Sequence, residues 1–452
     1  MATLAGLTRG VADMPGPSAL VLLARRLPAW ARRRTWPLVA SVASIVLGML
    51  FSFLWVQTIH SGSWTHFWLV PSDIWGVYRT AHYIGWGGYS AIYSTGVFIS
   101  FPGILFLYAP LAMITGTFGM SEDFPYVLAH PTTWLLLGPY ELIIGSVVLF
   151  ALDALAERLG ISRARRAVLC FAEATILWIV DVMMGHPEDA LALALAVYAL
   201  LALWSGHTKR SGWLFGVAVL FQPLVLLTLP LLLFQTERRQ RLRTLCRCVV
   251  PSAATLILPV TADWADTKRA LVDQPFPFRY AHITPWTSWA PKVGTSAVAG
   301  GPGRLVALVL CVVIGWWATR RHLGIAEIIW LAALCLALRT ALDSALASYY
   351  PWPPMALALV VAATRGRSRF ALTWVCAMGV TVAASEHFGP WWMWWTAVVG
   401  GLALTLIVSR PPRVVVGDET ETGRWRGTSR DDDGADTVER PSLRRGELVV
   451  SS

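Results

Sequence analysis

Long apolar runs recur along this chain at the length of a membrane-spanning helix. Each has about 16 to 23 residues, and a helix needs roughly 20 apolar residues to cross a bilayer. They lie at 37–58, 98–118, 134–152, 166–184, 188–204, 212–234, 244–261, 303–319, 323–339, 345–363, 370–385 and 391–409. Lipid offers no hydrogen bonds to an open backbone. The sequence therefore predicts an all-α fold, a polytopic transmembrane helical bundle of about 11–13 membrane segments.

The composition supports this class. Hydrophobic residues make up 56% of the chain and charged residues only 14%, against about 25% charged residues in soluble proteins. The formal net charge of +10 would suit a nucleic-acid partner, but the arginines cluster in short gaps between apolar runs, where they act as topology signals. We expect membrane lipids around the protein and no nucleic acid, and the sequence indicates no particular protein partner.

The distribution of positive charge predicts on which side of the membrane each segment between two apolar runs lies. The positive-inside rule places the basic gaps in the cytoplasm together with a basic N-terminus, residues 1–35, whose following run has no cleavage site and is expected to be an uncleaved first span. The gaps 59–97 and 262–302 are then extracytoplasmic loops. Residues 36–409 form the predicted transmembrane domain, and 410–452, which mix both charges with Gly, Ser and Pro, form a disordered cytoplasmic tail. The expected location is the plasma membrane, multi-pass.

Two runs do not fit strict alternation of sides. Runs 98–118 and 212–234 contain internal prolines, in "SFPGILFLYAP" and "LFQPLVLLTLP". Proline removes a backbone donor and clashes with the preceding turn, so we predict two broken or re-entrant segments, or paired half-length helices, beside a water-accessible cavity. The alternative is that both are plain spans and one basic gap violates the rule.

The first outer loop carries one acidic residue, Asp73, in "VPSDIWGVYRTAHYIGWGGYSAIYS". The stretch from Ser72 to about Ile84 has no proline and ends in glycines, which predicts a short amphipathic helix on the membrane surface. Two roles are open to the carboxylate. Ser72 or Asp73 caps the helix, or Asp73 serves as a general base beside the cavity.

The layout resembles the type C glycosyltransferases (GT-C superfamily), and most closely the actinobacterial polyprenyl-phosphate mannosyltransferases. The resemblance covers roughly residues 35–410 and rests on the early Asp, then "GGYSAIYS", "LYAPLA", "GHPEDALALALAVYALLALW" and "GWLFGVAVLFQPLVLLTLPLLLF". It implies a membrane enzyme, a hexosyltransferase of cell-envelope biosynthesis, with Asp73 as catalytic base on the extracytoplasmic face. It also implies a polyprenyl-phosphate sugar as donor and a lipid-linked glycan or glycolipid as acceptor.

Candidate donor-binding groups are the few positive or polar side chains assigned to the outer face. They are Arg279, His282, Lys292, Arg79, His82, Gln222 and Tyr349. Lipid headgroups or solvent are the alternative partners for the cations, and the aromatic belt is the alternative for the tyrosine. Gln222 departs from the family pattern, since many relatives carry a lysine there, and an amide cannot neutralise a phosphate.

The turn "DVMMGHPEDA" supplies the predicted acceptor-binding residues, His186 and Glu188. Glu188 or Asp189 would otherwise only stabilise the start of the next helix. Their spacing matches no established metal-ligand motif, so we expect no metal and no cofactor. The six cysteines lie in or beside apolar runs and imply no disulfide framework.

Two functions are compatible with these features. The first is sugar transfer, most simply of mannose, from a polyprenyl phosphate. The alternative is a transporter or flippase for a lipid-linked glycan, for which intramembrane charges would be the signature. Glu141, Glu173 and Glu327 are the main charged residues in the spans, and Glu173 lies deepest.

Overall fold

The structure is a computed structural model that describes residues 29–59, 72–85, 87–96, 98–118, 134–277, 283–295, 297–321, 323–386 and 388–412. One compact unit ends at Pro411. The cytoplasmic tail predicted from residue 410, and most of the basic N-terminus predicted over 1–35, lie outside the described residues.

Helices make up nearly all of the described chain. The α-helices are α1 Ala29–Arg33, α2 Thr35–Ile59, α3 Ser72–Gly85, α4 Gly103–Thr117, α5 Trp134–Gly145, α6 Val147–Arg158, α7 Arg163–Trp178, α8 Pro187–Trp204, α9 Thr208–Phe221, α10 Leu229–Gln235, α11 Arg241–Ala262, α12 Trp264–Lys268, α13 Gly303–Thr319, α14 Ile325–Leu342, α15 Trp352–Arg365, α16 Arg367–Glu386 and α17 Trp391–Ser409. Short 3₁₀ or π segments are Gly88–Ala91, Ile179–Met183, Pro223–Thr228, Arg238–Gln240, Arg269–Asp273 and Thr287–Trp289.

The strands form one small sheet at the edge of the helices. They are β1 Phe276–Pro277, β2 Lys292–Val293 and β3 Ala297–Val298, in the order β1-β3-β2, and both pairs are antiparallel. Each strand has two residues, so the sheet fixes a loop and contributes little to the core. The predicted all-α bundle is confirmed.

Helices of membrane-spanning length and composition are present in the described chain. They are Leu136–Arg158, Pro187–Trp204, Arg238–Ala262, Ile325–Leu342, Arg367–Glu386 and Trp391–Ser409, and shorter apolar helices are Thr35–Leu50, Gly103–Thr117, Pro223–Gln235 and Gly303–Thr319. Their outward faces are apolar: Leu305, Val309 and Ile407 are each at least 60% exposed. Large apolar surfaces of this kind need lipid or a partner to cover them. The chain is therefore a membrane protein, and the fuller count of 11–13 segments stays a prediction.

The two proline-containing runs behave differently. Run 212–234 is broken, as predicted: α9 ends at Phe221, and Gln222 is extended (φ −148°, ψ 114°). Proline excludes the residue before it from the helical region, so Pro223 forces this break. In run 98–118, α4 continues through Pro110, and the prediction of a break inside that helix is wrong.

A side chain from α5 contacts α4 beside Pro110. The Tyr140 hydroxyl donates to the Leu107 carbonyl at 2.5 Å, in the turn before the proline. The carbonyl that loses its helical donor is that of Phe106, four residues before Pro110, so this hydrogen bond ties α4 to α5 next to that turn. At 15 residues, α4 is short for a span, which agrees with the half-length alternative.

The buried side chains form two clusters. The larger one joins α6 to α9 with α14, α15 and the later helices. The smaller one contains Val77 and Tyr78 of α3, Ile104 and Tyr108 of α4, and Leu142 of α5. The helix that begins at Ser72 is thus packed against the bundle through α4.

Gly103 permits the close approach of α4 to α9. A methyl group on Gly103 would lie 2.5 Å from the carbonyl oxygen of Leu220, in the last turn of α9. We expect Gly103→Ala to lower the free energy of unfolding by about 1–3 kcal/mol, the usual cost of overpacking, measured as a lower melting temperature in detergent.

Gly400→Ala is the matched control, because open space surrounds the added methyl group within 4 Å. Alanine has the higher helix propensity, so this variant should be neutral or slightly more stable. An equal loss in both variants would contradict the packing argument.

Candidate functional site

The turn between α7 and α8 is built by residues suited to it. After the π segment Ile179–Met183, Gly185 adopts φ 69°, a left-handed conformation that favours glycine. His186 precedes the helix and Pro187 occupies its first turn, where the missing N–H has no cost. Glu188 follows in the same turn, where the helix dipole favours carboxylates.

The predicted pair His186 and Glu188 is in direct contact. His186 Nδ1 lies 2.8 Å from Glu188 Oε1, and both side chains are buried. The His186 ring stacks on Tyr349, with ring centroids 3.4 Å apart. Three predicted binding residues, His186, Glu188 and Tyr349, therefore share one location.

Gln222 joins the same location through the broken helix. Because the backbone leaves the helix at this residue, its side-chain Nε2 donates to Asp189 Oδ1 at 2.5 Å. Glu188 Oε2 and Asp189 Oδ2, on neighbouring residues, have no hydrogen-bond partner among the described residues. We refer to His186, Glu188, Asp189, Gln222 and Tyr349 as the polar cluster.

A guanidinium network borders the polar cluster. Tyr349 meets Tyr350 edge to face, with centroids 5.0 Å apart. Arg339 Nη2 donates to the Tyr350 hydroxyl at 2.8 Å, and Arg339 Nε donates to Asp343 Oδ2 at 3.3 Å. Arg304 Nε donates to the same carboxylate at 3.0 Å. Two cations thus converge on one buried carboxylate beside the aromatic pair.

Further buried acidic groups are Glu141 on α5 and Asp181 in the π segment before the turn. Glu141 and Asp181 are fully buried, and neither carboxyl group has a hydrogen-bond partner among the described residues. The Tyr108 hydroxyl of α4 is also buried and has no hydrogen-bond partner among the described residues. Asp181 packs against Gly145, where any added side chain would meet its carboxylate. Buried polar groups without partners demand an explanation.

The segment "GGYSAIYS" is anchored to the bundle. Gly87, the first residue of the segment, has φ 80°. The Tyr89 hydroxyl donates to the Thr255 carbonyl at 2.7 Å, and the Tyr93 hydroxyl donates to the Ser100 carbonyl at 3.0 Å. Burial raises the pKa of Tyr89 to about 12, so its hydroxyl remains a neutral donor at physiological pH. The loop that follows α3 is therefore held in place by its tyrosines.

The other predicted site residues lie on other segments of the chain. Asp73 lies in the first turn of α3, and its side chain is outside the described part of the chain, as are Arg279 and His282. His82 packs near Gly116 of α4, Arg79 is half-buried on α3, and Lys292 is exposed on β2. Their roles stay predictions.

Arg304, Asp343 and Tyr108 are not among the residues predicted from the sequence. Asp343 has a readable signal, its i,i+4 spacing from Arg339. Tyr108 lies in an apolar run and gives no signal. The contacts of Arg304 and Tyr108 join distant parts of the chain, which no local pattern shows.

Comparisons with known proteins do not assign the chain to a family. No family model, no curated protein and no solved structure matches the sequence or the fold. Within the described residues, no group of three or more His, Cys, Asp or Glu side chains has the arrangement of a metal site.

Proposed function

We propose that this protein is an integral-membrane glycosyltransferase. It would move a sugar, most simply mannose, from a polyprenyl phosphate to a lipid-linked glycan or glycolipid on the extracytoplasmic face. The donor and the sugar come from the sequence resemblance to type C glycosyltransferases. The support from the molecule comes from the polar cluster.

One observation carries the proposal. Glu188 Oε2 and Asp189 Oδ2 are buried acceptors without partners among the described residues, and they adjoin the stacked rings of His186 and Tyr349. Sugar hydroxyls are donors that such carboxylates bind, and an aromatic ring covers the apolar face of a pyranose. Tyr349 is the partly exposed member of the cluster, so a sugar would approach past it.

The chemistry needs one base and one anion-binding partner. In a direct displacement, the acceptor oxygen bonds to the anomeric carbon while the bond from that carbon to the phosphate oxygen breaks. The acceptor proton goes to a carboxylate, which we assign to Asp73, as an inverting glycosidase deprotonates water. The polyprenyl phosphate leaves with the bonding electrons, and a guanidinium such as that of Arg339 would stabilise its charge.

A specific observation favours the second candidate, a transporter or flippase for a lipid-linked glycan. Glu141, Glu173 and Asp181 are fully buried, and their carboxyl groups have no hydrogen-bond partners in the described chain. Intramembrane acids of this kind often carry protons or cations in transporters. They do not belong to the polar cluster, and for that reason we rank this function second.

Sugar transfer in membranes tests the proposal. Membranes containing the protein, supplied with radiolabelled polyprenyl-phosphate mannose and a lipid-linked acceptor, should form a labelled product that membranes without it do not form. We expect Glu188→Gln to raise the acceptor KM about 10-fold or more, because it replaces a charged hydrogen-bond acceptor, with a smaller change in kcat.

The exposed Glu386 provides the matched control, and Glu386→Gln should leave KM unchanged. Equal KM values for Glu188→Gln and Glu386→Gln would remove Glu188 from acceptor binding. If no labelled product forms, while vesicles containing the protein move a fluorescent lipid-linked glycan across the bilayer, the transporter is correct and the transferase is wrong.

A further inference from the structure

A basic groove of about 800 Å³ lies at one end of α8, α9 and α11, away from the polar cluster. Its cationic side chains are Lys209, Arg210, Arg243 and Arg247, and His207 adds a fifth basic group. No acidic residue lines it. In the part of the chain that the structure describes, none of the four cations forms an ion pair.

The other wall of the groove is apolar. It consists of Leu195, Trp213, Leu214 and Val217, and Trp213 is 40% exposed. Two of the helices that form the groove belong to segments long and apolar enough to cross a membrane, Pro187–Trp204 and Arg238–Ala262. The cations follow the end of the first segment and begin the second, which is the depth of lipid headgroups in a spanning helix.

Close helix packing fixes the groove's central cation. A methyl group on Gly212 would lie 3.0 Å from Arg247 Cβ, and one on Gly216 would lie 2.5 Å from the Arg247 carbonyl oxygen. The two glycines bring α9 directly onto α11, and the stem of Arg247 lies over Gly212. Its guanidinium is therefore held between the helices, half-buried, rather than free in solvent.

We propose that this groove is a binding site for an anionic phospholipid. The phosphate would meet Arg243, Arg247 and the pair Lys209 and Arg210, while the first methylenes of the acyl chains would lie on Leu214 and Val217. Topology alone requires cations at this end of the helices, but it does not require them to converge on a cavity with an apolar wall. A phospholipid would contact both the cationic wall and the apolar wall, whereas a soluble anion would contact only the cationic wall. Basic pockets between membrane helices bind anionic headgroups in this way.

Native mass spectrometry of the detergent-solubilised protein tests the site. With phosphatidylglycerol and phosphatidylcholine offered together, we expect the protein to retain phosphatidylglycerol selectively. Arg243→Gln/Arg247→Gln should weaken that binding about 10- to 30-fold, since each cation near an anionic lipid contributes about fivefold. Lys209→Gln/Arg210→Gln alters only exposed side chains and should give a similar loss of affinity. This second variant decides the question if the first one folds poorly.

Arg238→Gln/Arg239→Gln is the control with the same change of charge. Both arginines are exposed in the neighbouring turn and do not line the groove, so affinity should stay within about twofold of the unmodified protein. Equal retention of phosphatidylcholine, or an equal loss in this control, would overturn the proposal. Displacement of phosphatidylglycerol by inorganic phosphate alone would also overturn it, because the groove would then be a site for soluble anions.

Discussion

Replacing Asp73 by asparagine is expected to lower sugar transfer by about 100-fold or more, the usual contribution of a positioned general base. Asparagine keeps the size and most of the hydrogen bonding of aspartate but cannot accept the acceptor's proton. The measurement is transfer from radiolabelled polyprenyl-phosphate mannose at matched protein levels, with the melting temperature recorded for both proteins.

The choice of asparagine separates the two roles of Asp73. Helix α3 begins at Ser72, so Asp73 lies in its first turn. Asparagine is as good a helix cap as aspartate, and a capping role therefore predicts little loss of either activity or stability. Ser72→Ala is the companion variant: it should affect stability if this turn is capped by its side chain, and it should leave the chemistry intact.

Activity retained by Asp73→Asn would end the assignment of Asp73 as the base. If sugar transfer is still observed in that case, the next candidates for the base are Glu188 and Asp189 of the polar cluster, each of which has a carboxylate oxygen without a hydrogen-bond partner among the described residues. A carboxylate of the polar cluster would then accept the proton, and the transferase proposal would stand with a different catalytic residue.

The helices were predictable because their causes are local. Apolar runs of span length become helices wherever lipid is the solvent, and the break at Gln222 follows from one steric rule about the residue before Pro223. The same rule predicted a break at Pro110, and that prediction was wrong. There the helix continues with the Tyr140 hydroxyl on the Leu107 carbonyl, 33 residues apart in sequence, a contact that sequence patterns do not show.

The site was predictable only in part, for the same reason. His186 and Glu188 are two residues apart, so one turn was enough to suggest both. The partners that give them a role come from elsewhere: Gln222 reaches Asp189 across 33 residues, and Tyr349 stacks on His186 from a distant turn. Polar residues at helix ends can be found from sequence, but which ends meet depends on how the whole bundle packs.

Replacing Asp153 by asparagine should cause the largest loss of stability. Its side chain is fully buried on α6 and accepts from Arg166 Nε at 2.7 Å, from Arg166 Nη2 at 2.6 Å and from Arg34 Nη1 at 2.7 Å. Removing the charge leaves a mostly buried guanidinium short of its partner, which costs about 3–5 kcal/mol in buried pairs. We expect the lower end of that range, since Glu157 still lies 3.4 Å from Arg166.

Glu157→Gln is the matched control for this ion-pair group. Glu157 is 27% exposed and pairs with Arg33, which is 68% exposed, as well as with Arg34 and Arg166. Because Glu157 is partly solvated, its replacement should cost less than that of Asp153, about 1 kcal/mol. Thermal unfolding in detergent, followed by tryptophan fluorescence, compares the two variants. Equal melting temperatures for them would show that Asp153 contributes no more to stability than the partly exposed Glu157.

A second substitution tests why Asp153 matters. If the loss comes from an uncompensated buried cation, then Asp153→Asn combined with Arg166→Met should be more stable than Asp153→Asn alone, because apolar replacement of a buried pair is often neutral. If the loss instead comes from the shape of the carboxylate, the two substitutions should add. Recovery in the double variant would mean that these arginines, which the sequence marks as topology signals, also lock the start of the first long helix onto α6 and α7.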